Sequence, residues 1–269
     1  MKWKIDPAGC VASDYDDFDE RLDRRRVGFI IRRNLRRTVG QRRLGVIWLI
    51  LDPILISVLY LFVFTVIRGN PNATVLFIGV SLYRVFRAAF KSGINISEDF
   101  SMGIKAERIT DGVVLRSEIR YRLVEATLSC VGICGILVIF GVAIYGLVVF
   151  AISAMILSVL SQGVAMNLTL MMKKLPDLQS PVNHFLLLMF FASPAFYSMT
   201  YTTGIHYEFN RYNPFAYFAE FCRYSAEVES AFPALIDIRT AIVLSVVILF
   251  AIRGYVGMGR RRWEASVWS

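Results

Sequence analysis

Histidine is almost missing from this chain, whose 269 residues hold only His184 and His206. No Asp/Glu pair repeats at ligand spacing within the long apolar runs either. An intramembrane enzyme acting on a lipid carrier would need acids, histidines or metal ligands gathered at one membrane level, so that class has little support. Cysteine is scarce as well. Cys130 and Cys134 stand one helical turn apart inside an apolar run, where small packing residues are expected, and Cys10 and Cys222 fall on opposite sides of the predicted membrane. Neither a disulfide framework nor a metal site is expected from them. No G-x-x-x-x-G-K-[ST] phosphate loop occurs anywhere in the sequence. No cleavable secretory leader is expected, because the first apolar run starts only at Leu44, behind a long and partly acidic segment.

What the chain has in abundance is apolar length. It is 56% hydrophobic with a net charge of +9 and a mean hydropathy of +0.53, a mixture that marks a multi-pass membrane protein. Its arginines sit at the ends of apolar runs and not on a soluble module with stacking aromatics, so they read as topology signals and nucleic acid is not an expected partner.

Residues 1–26 carry Asp14, Asp16, Asp17, Asp19, Glu20 and Asp23, then Arg24, Arg25 and Arg26, and read as a flexible cytosolic lead-in. Residues 27–43 follow as an amphipathic interface helix: Arg32, Arg33, Arg36 and Arg37 alternate with Ile30, Ile31, Leu35 and Val39, and Arg42 and Arg43 come after the break at Gly40. Six spans are predicted within residues 44–259, at about 45–67, 74–90, 123–145, 147–171, 182–201 and 236–256. Residues 91–122 are expected as a polar docking loop with helical pieces, Tyr145-Gly146 as a tight turn, and 202–233 as half-inserted helices rich in interfacial aromatics. Residues 260–269 form a basic tail. The clustering of Lys and Arg places both termini in the cytosol, with only Arg68, Arg211, Arg223 and Arg239 on the far side.

On these elements lie Arg43-Leu44-Gly45, Trp48, Leu51 and Asp52-Pro53 at the head of the first span, Ser193-Pro194-Ala195-Phe196-Tyr197 in the fifth, and Asn213-Pro214-Phe215 beyond it. In that order they resemble the R-x-LG-x-x-W-x-x-L-x-P, S-P-x-F-Y and N-P-[LF] signatures of ABC-2 type transporter permease subunits. Within that family they resemble the exporters of capsular polysaccharide, O-antigen and teichoic acid, over about residue 27 to the C-terminus. The acidic tail has no counterpart. The resemblance implies an all-α integral membrane fold with six transmembrane helices and short re-entrant or interfacial helices before the last. It implies a homodimer in the inner membrane that exports a lipid-linked polysaccharide, working with two copies of a separate ABC ATPase subunit that holds ATP and Mg, and with periplasmic or outer-membrane export proteins. This chain itself would be a transport subunit and no enzyme, with no cofactor or metal of its own. An ABC-2 exporter of drugs or small lipids, and more remotely a lipid-carrier transferase, stay open as alternatives.

Candidate working residues follow. Arg84, Arg87 and Lys91 recur at i, i+3 and i+7 on one face of the second span, placed to receive a lipid-linked phosphate or acidic sugars. The alternative is snorkelling by Arg87 and Lys91, with Arg84 paired to an acid such as Glu125. Tyr60, Tyr83, Phe86, Phe196, Tyr197 and Tyr201 either line a path on which sugar rings slide or simply pack. Arg36, Arg37, Arg42, Arg43, Glu98, Asp99, Glu107 and Arg108 face the ATPase subunit by analogy with the family. Gly45, Trp48, Asp52 and Pro53 form the motif at the head of the first span, where Pro53 bends the helix.

Overall fold

The structure is a computed structural model that describes residues 3–6, 9–12, 25–34, 73–107 and 111–260, with residues 47, 51, 54, 55, 58, 59, 62 and 63 of the first apolar run. The predicted lead-in holds a small hairpin. Strand β1 (Trp3–Asp6) pairs antiparallel with β2 (Gly9–Ala12), Trp3 opposite Ala12 and Asp6 opposite Gly9. Trp3, Ile5 and Val11 in this stretch are residues that strands favour.

Helix α1 comprises residues 25–34. It buries Val27 and Ile30 against Ile96 and Met166, with Leu115 and Tyr255 alongside, and leaves Arg32 and Arg33 exposed. The amphipathic pattern therefore docks its apolar face on the bundle, at the end where several long helices meet. Residues 47, 51, 54, 55, 58, 59 and 62 of the first apolar run are helical and expose Ile47, Leu55, Val58, Leu59 and Phe62, as lipid contact requires.

Helix α2 (Ala73–Glu107) and helix α3 (Asp111–Ile139) correct the predicted loop at 91–122. Instead of ending at residue 90, α2 continues through that region, and α3 begins there. Ile94 and Ile96 are buried, so these apolar residues among the charges lie on a packed face of α2 and not in a loop. Every residue from Val75 to Tyr83 is buried, as expected of a helix that is apolar all round.

Helix α4 (Ile144–Met166) returns against α3. The turn lies earlier than Tyr145-Gly146. Gly141 adopts φ 78°, its N–H bonds the Val138 carbonyl at 2.9 Å, and the Val142 N–H bonds that of Leu137 at 3.0 Å. This is a Schellman stop in which glycine carries the left-handed residue. Gly141 was hidden by its apolar flanks, whereas Gly146 is a packing glycine whose Cβ would lie 2.9 Å from the Ser225 carbonyl oxygen.

Helix α5 (Thr169–Lys174) and a single 3-10 turn lead to α6 (Gln179–Ala192). At 14 residues, α6 is about 21 Å long and falls short of a hydrocarbon core of about 30 Å. Then come α7 (Gly204–Arg211), α8 (Pro214–Ser225), the four-residue α9 (Phe232–Leu235) and α10 (Ile238–Arg260). Among the described residues four helical stretches are long and apolar enough to cross a membrane: Ala73–Ile96, Leu115–Ile139, Ile144–Met166 and Ile238–Gly257.

Helix α4 sits at the centre, touching α2, α3, α8 and α10. Small residues set these approaches. A Cβ on Gly93 would meet the Gln162 carbonyl oxygen at 2.5 Å, and one on Gly254 would fall on the carbonyl oxygen of Gly163. Such close backbone contact is how helices associate where lipid supplies no hydrophobic drive.

Candidate functional site

The two motifs of the far end form one junction. Ser193 caps α6, its N–H bonding the Met189 carbonyl at 2.9 Å, and its backbone is extended (ψ 159°), as a residue before proline must be. Asn213 is the N-cap of α8. Its Oδ1 accepts the Phe215 N–H at 3.1 Å, and Pro214 fills the first helical position, where no N–H is needed. Asn213 Nδ2 then donates to Ser193 Oγ at 2.8 Å and to Asn210 Oδ1 at 3.3 Å.

The Ala192 carbonyl, left without a helical partner at the end of α6, is met by the Tyr197 hydroxyl at 2.7 Å and by Asn210 Nδ2 at 3.0 Å. His206 Nε2 lies 3.0 Å from it and 2.7 Å from the Tyr197 hydroxyl oxygen. The S-P-x-F-Y and N-P-F segments thus satisfy each other's backbone at the join between α6, α7 and α8. Asn213→Ala removes a cap and strips Ser193 of its donor. A loss of about 1–2 kcal/mol with the fold retained is expected, seen as a lower denaturation midpoint of the purified protein in detergent.

Directly behind this junction lies a fully buried ion pair that sequence reading missed. Glu220 and Arg223 have no solvent exposure, and Arg223 Nη1 donates to Glu220 Oε1 at 2.8 Å. Arg223 also donates through Nε (3.1 Å) and Nη2 (3.0 Å) to the Val75 carbonyl, in the first turn of α2, and at 3.5 Å to that of Ala195. Glu220 accepts from the Met199 N–H (3.0 Å), the Ala231 N–H (2.7 Å), Ser198 Oγ (3.1 Å) and Ser230 Oγ (3.0 Å). Gly79 makes room, since a Cβ there would collide with the Ala195 carbonyl and the Arg223 guanidinium. Every lone pair and N–H of such a pair must be met if it is to survive away from water. The available signal was Glu220-x-x-Arg223, two opposite charges one turn apart within an aromatic helix.

The predicted aromatics divide. Tyr83 is buried, its hydroxyl donating to the Leu186 carbonyl, and its ring centre lies 4.8 Å from that of Phe190 and 5.3 Å from Phe215. Phe196 is buried 4.4 Å from Phe190, and Phe86 is half-buried between Tyr83 and Phe90. These rings form one cluster of tilted and edge-to-face contacts joining α2, α6 and α8. Tyr197 belongs to the junction. Tyr201 is exposed and its hydroxyl donates to the Glu229 carboxylate. Tyr60 lies outside the described residues.

Arg84, Arg87 and Lys91 run along α2, each half-buried. Among the described residues neither Arg87 nor Lys91 makes an ion pair, while Glu125 is taken by Arg122. Beside Lys91, Ser92 Oγ donates to Glu118 at 2.8 Å across to α3, and Tyr255 of α10 donates to the Val159 carbonyl at 2.8 Å, with Gln162 Oε1 at 3.2 Å. Gln162 Nε2 and Arg122 Nε are buried without a hydrogen bond, the latter 4.0 Å from Glu118. The end of the bundle nearest α1 thus carries one polar, donor-rich cluster, and the other end carries the Ser193–Asn213 junction, the Glu220–Arg223 pair and the aromatic rings.

Glu98, Asp99 and Glu107 fall on the last turns of α2. Arg36, Arg37, Arg42, Arg43, Arg108, Gly45, Trp48, Asp52 and Pro53 lie outside the described residues. Among the described residues no three His, Cys, Asp or Glu side chains gather where a metal would bind.

Taken together, these features define a helical, multi-pass transmembrane protein. Neither a scan against protein-family models nor a search of curated proteins finds a match.

Proposed function

We propose that this chain is the permease subunit of an ATP-driven ABC-2 type exporter that moves a lipid-linked cell-surface polysaccharide across the inner membrane, as a homodimer with two ATPase subunits. The observation that carries the reading is the junction. Two short sequences noted for their resemblance to that family, 20 residues apart by the Ser193–Asn213 bond, are physical partners, which unrelated coincidences of sequence would have no reason to be.

Other features agree. Among the described residues Arg87 and Lys91 make no ion pair, and they lie on a helix long and apolar enough to cross a membrane, so a passing phosphate or acidic sugar would meet cations at that level. Two of the cations predicted on the far side are neutralised internally, Arg223 by Glu220 and Arg211 by Asp237 at 2.9 Å. Among the described residues Arg239 is then the exposed cation of that side, while Arg32 and Arg33 of α1 stand exposed at the other end, a bias in keeping with cytosolic termini. Helix α1 and the extended ends of α2 and α3 then offer the surface on which a soluble ATPase subunit would act.

The test is deletion of the gene, with surface and intracellular polysaccharide measured after complementation. Wild type restores surface polymer, while Arg84→Gln combined with Arg87→Gln reaches the membrane at normal levels and leaves polymer inside, with surface polymer reduced at least tenfold. Polymer absent from both fractions in the deletion strain points to an enzyme, and an unchanged surface to a small-molecule exporter. Full export by the double variant removes the cationic stripe from the mechanism.

A further inference from the structure

Between α8, α9 and the outer end of α10 lies an open groove of about 420 Å3, walled by Phe218, Phe221, Phe232, Leu235, Ala241 and Leu244. Three polar groups reach its edge, and each is already engaged. The Tyr217 hydroxyl donates to the Arg211 carbonyl, and the Thr240 hydroxyl donates to the Leu235 carbonyl. The Asp237 carboxylate accepts Arg211 Nη2 at 2.9 Å and the Ile238 N–H at 2.6 Å. A sugar or a peptide placed there would lose its water and find no partner. The chemistry that fits is hydrocarbon.

The position says which hydrocarbon. The groove runs onto α10, a helix long enough to cross the membrane, whose Ile242, Val246 and Leu249 are exposed alongside it. At its rim Asp237 is occupied by Arg211, and Arg239 stands off at 3.9 Å with half of its side chain exposed. An apolar slot continuous with a lipid-facing helix, with the Arg239 guanidinium beside its rim carboxylate where the helix begins, matches an acyl chain in the slot and a phosphate headgroup at its rim.

We infer that this groove is a binding site for one acyl chain of a bilayer glycerophospholipid, with Arg239 at its phosphate. The inference rests on membrane embedding alone and does not depend on the transport reading. Occupancy would prop α8 and α9 against α10 and so brace the buried Glu220–Arg223 region from the lipid side.

The experiment uses the full-length protein in nanodiscs containing a phosphatidylglycerol with a photoactivatable acyl chain, with labelled residues mapped by mass spectrometry. Labelling at Phe221 and Leu244 is expected to saturate with probe and to fall when unlabelled phosphatidylglycerol is added in excess. It should vanish in Ala241→Trp, while labelling at Leu249 and Ile252 rises linearly and is unaffected. Arg239→Gln should raise the probe concentration needed for half-saturation. Linear, uncompeted labelling of the groove at the same level as Leu249 would mean ordinary solvation by lipid and would overturn the inference. So would an unlabelled groove whose Phe221 cross-links to Leu244 of a second copy. The competition arm reads out in the unaltered protein, so a failure of Ala241→Trp to fold does not blunt the test.

Discussion

Arg223→Ala is expected to remove nearly all folded protein from the membrane. The substitution leaves the Glu220 carboxylate fully buried without its cation and deprives the Val75 carbonyl of both its side-chain donors. Breaking a buried pair by deleting one partner costs about 3–5 kcal/mol, a large part of the total stability of an ordinary domain. Arg223→Lys should recover only part of this, because an ammonium cannot reach Glu220, Val75 and Ala195 with a planar fork of donors. The double variant Glu220→Gln with Arg223→Met should be less damaging than Arg223→Ala, since no uncompensated charge remains. Membrane abundance and monodispersity in detergent, compared across the three, check this ordering. Equal abundance of Arg223→Ala and wild type would show that the pair does not hold α2 and α8 together.

A second large effect is expected from a single methyl group at Gly254. Its Cβ would fall on the carbonyl oxygen of Gly163, where α10 crosses α4, so Gly254→Ala must push the two helices apart. Overpacking of this kind costs about 1–3 kcal/mol when neighbours can yield, and here the obstacle is backbone, which cannot. Parting these helices would also break the Asn167 Nδ2 bond to the Phe250 carbonyl at 2.9 Å and that of Tyr255 to Val159. Gly257, one turn on, has nothing within 4 Å of its Cβ position, so Gly257→Ala is the matched control and should be neutral or slightly stabilising through its better helix propensity. Thermal unfolding in detergent should separate the two variants clearly. Equal midpoints would mean that the α4–α10 contact is looser than the structure has it.

The apolar runs were legible because the membrane imposes its own period and length: some 20 apolar residues between charged ends leave few choices. Ile144–Met166 and Ile238–Gly257 fall close to their expected limits of 147–171 and 236–256, whereas Leu115–Ile139 both begins and ends well before the expected 123–145. The Ala73–Ile96 stretch overran its limit because Lys91 and its neighbours looked like an end, whereas a helix emerging into water can continue with its apolar face docked, as Ile94 and Ile96 do. The turn after α3 was misplaced since an apolar glycine and a packing glycine look alike in sequence. They differ only in backbone angle, which is set by the two helices on either side.

Of the candidate site, the cationic stripe was visible from spacing alone, because residues at i, i+3 and i+7 share a helix face whatever surrounds them. What each aromatic does was not visible. Tyr83 and Phe86 are one turn apart and similar in character, yet Tyr83 is locked in the core and Phe86 half-exposed.

The sequence by itself determined that this is a membrane protein of apolar helices with a basic end, since those properties depend on residues near one another in the chain. Only the tertiary structure decided that Ser193 belongs to Asn213, and that Arg223 closes on Val75 across 148 residues. A polar group inside a membrane must find its partner wherever the packing puts one, and that choice is made through space.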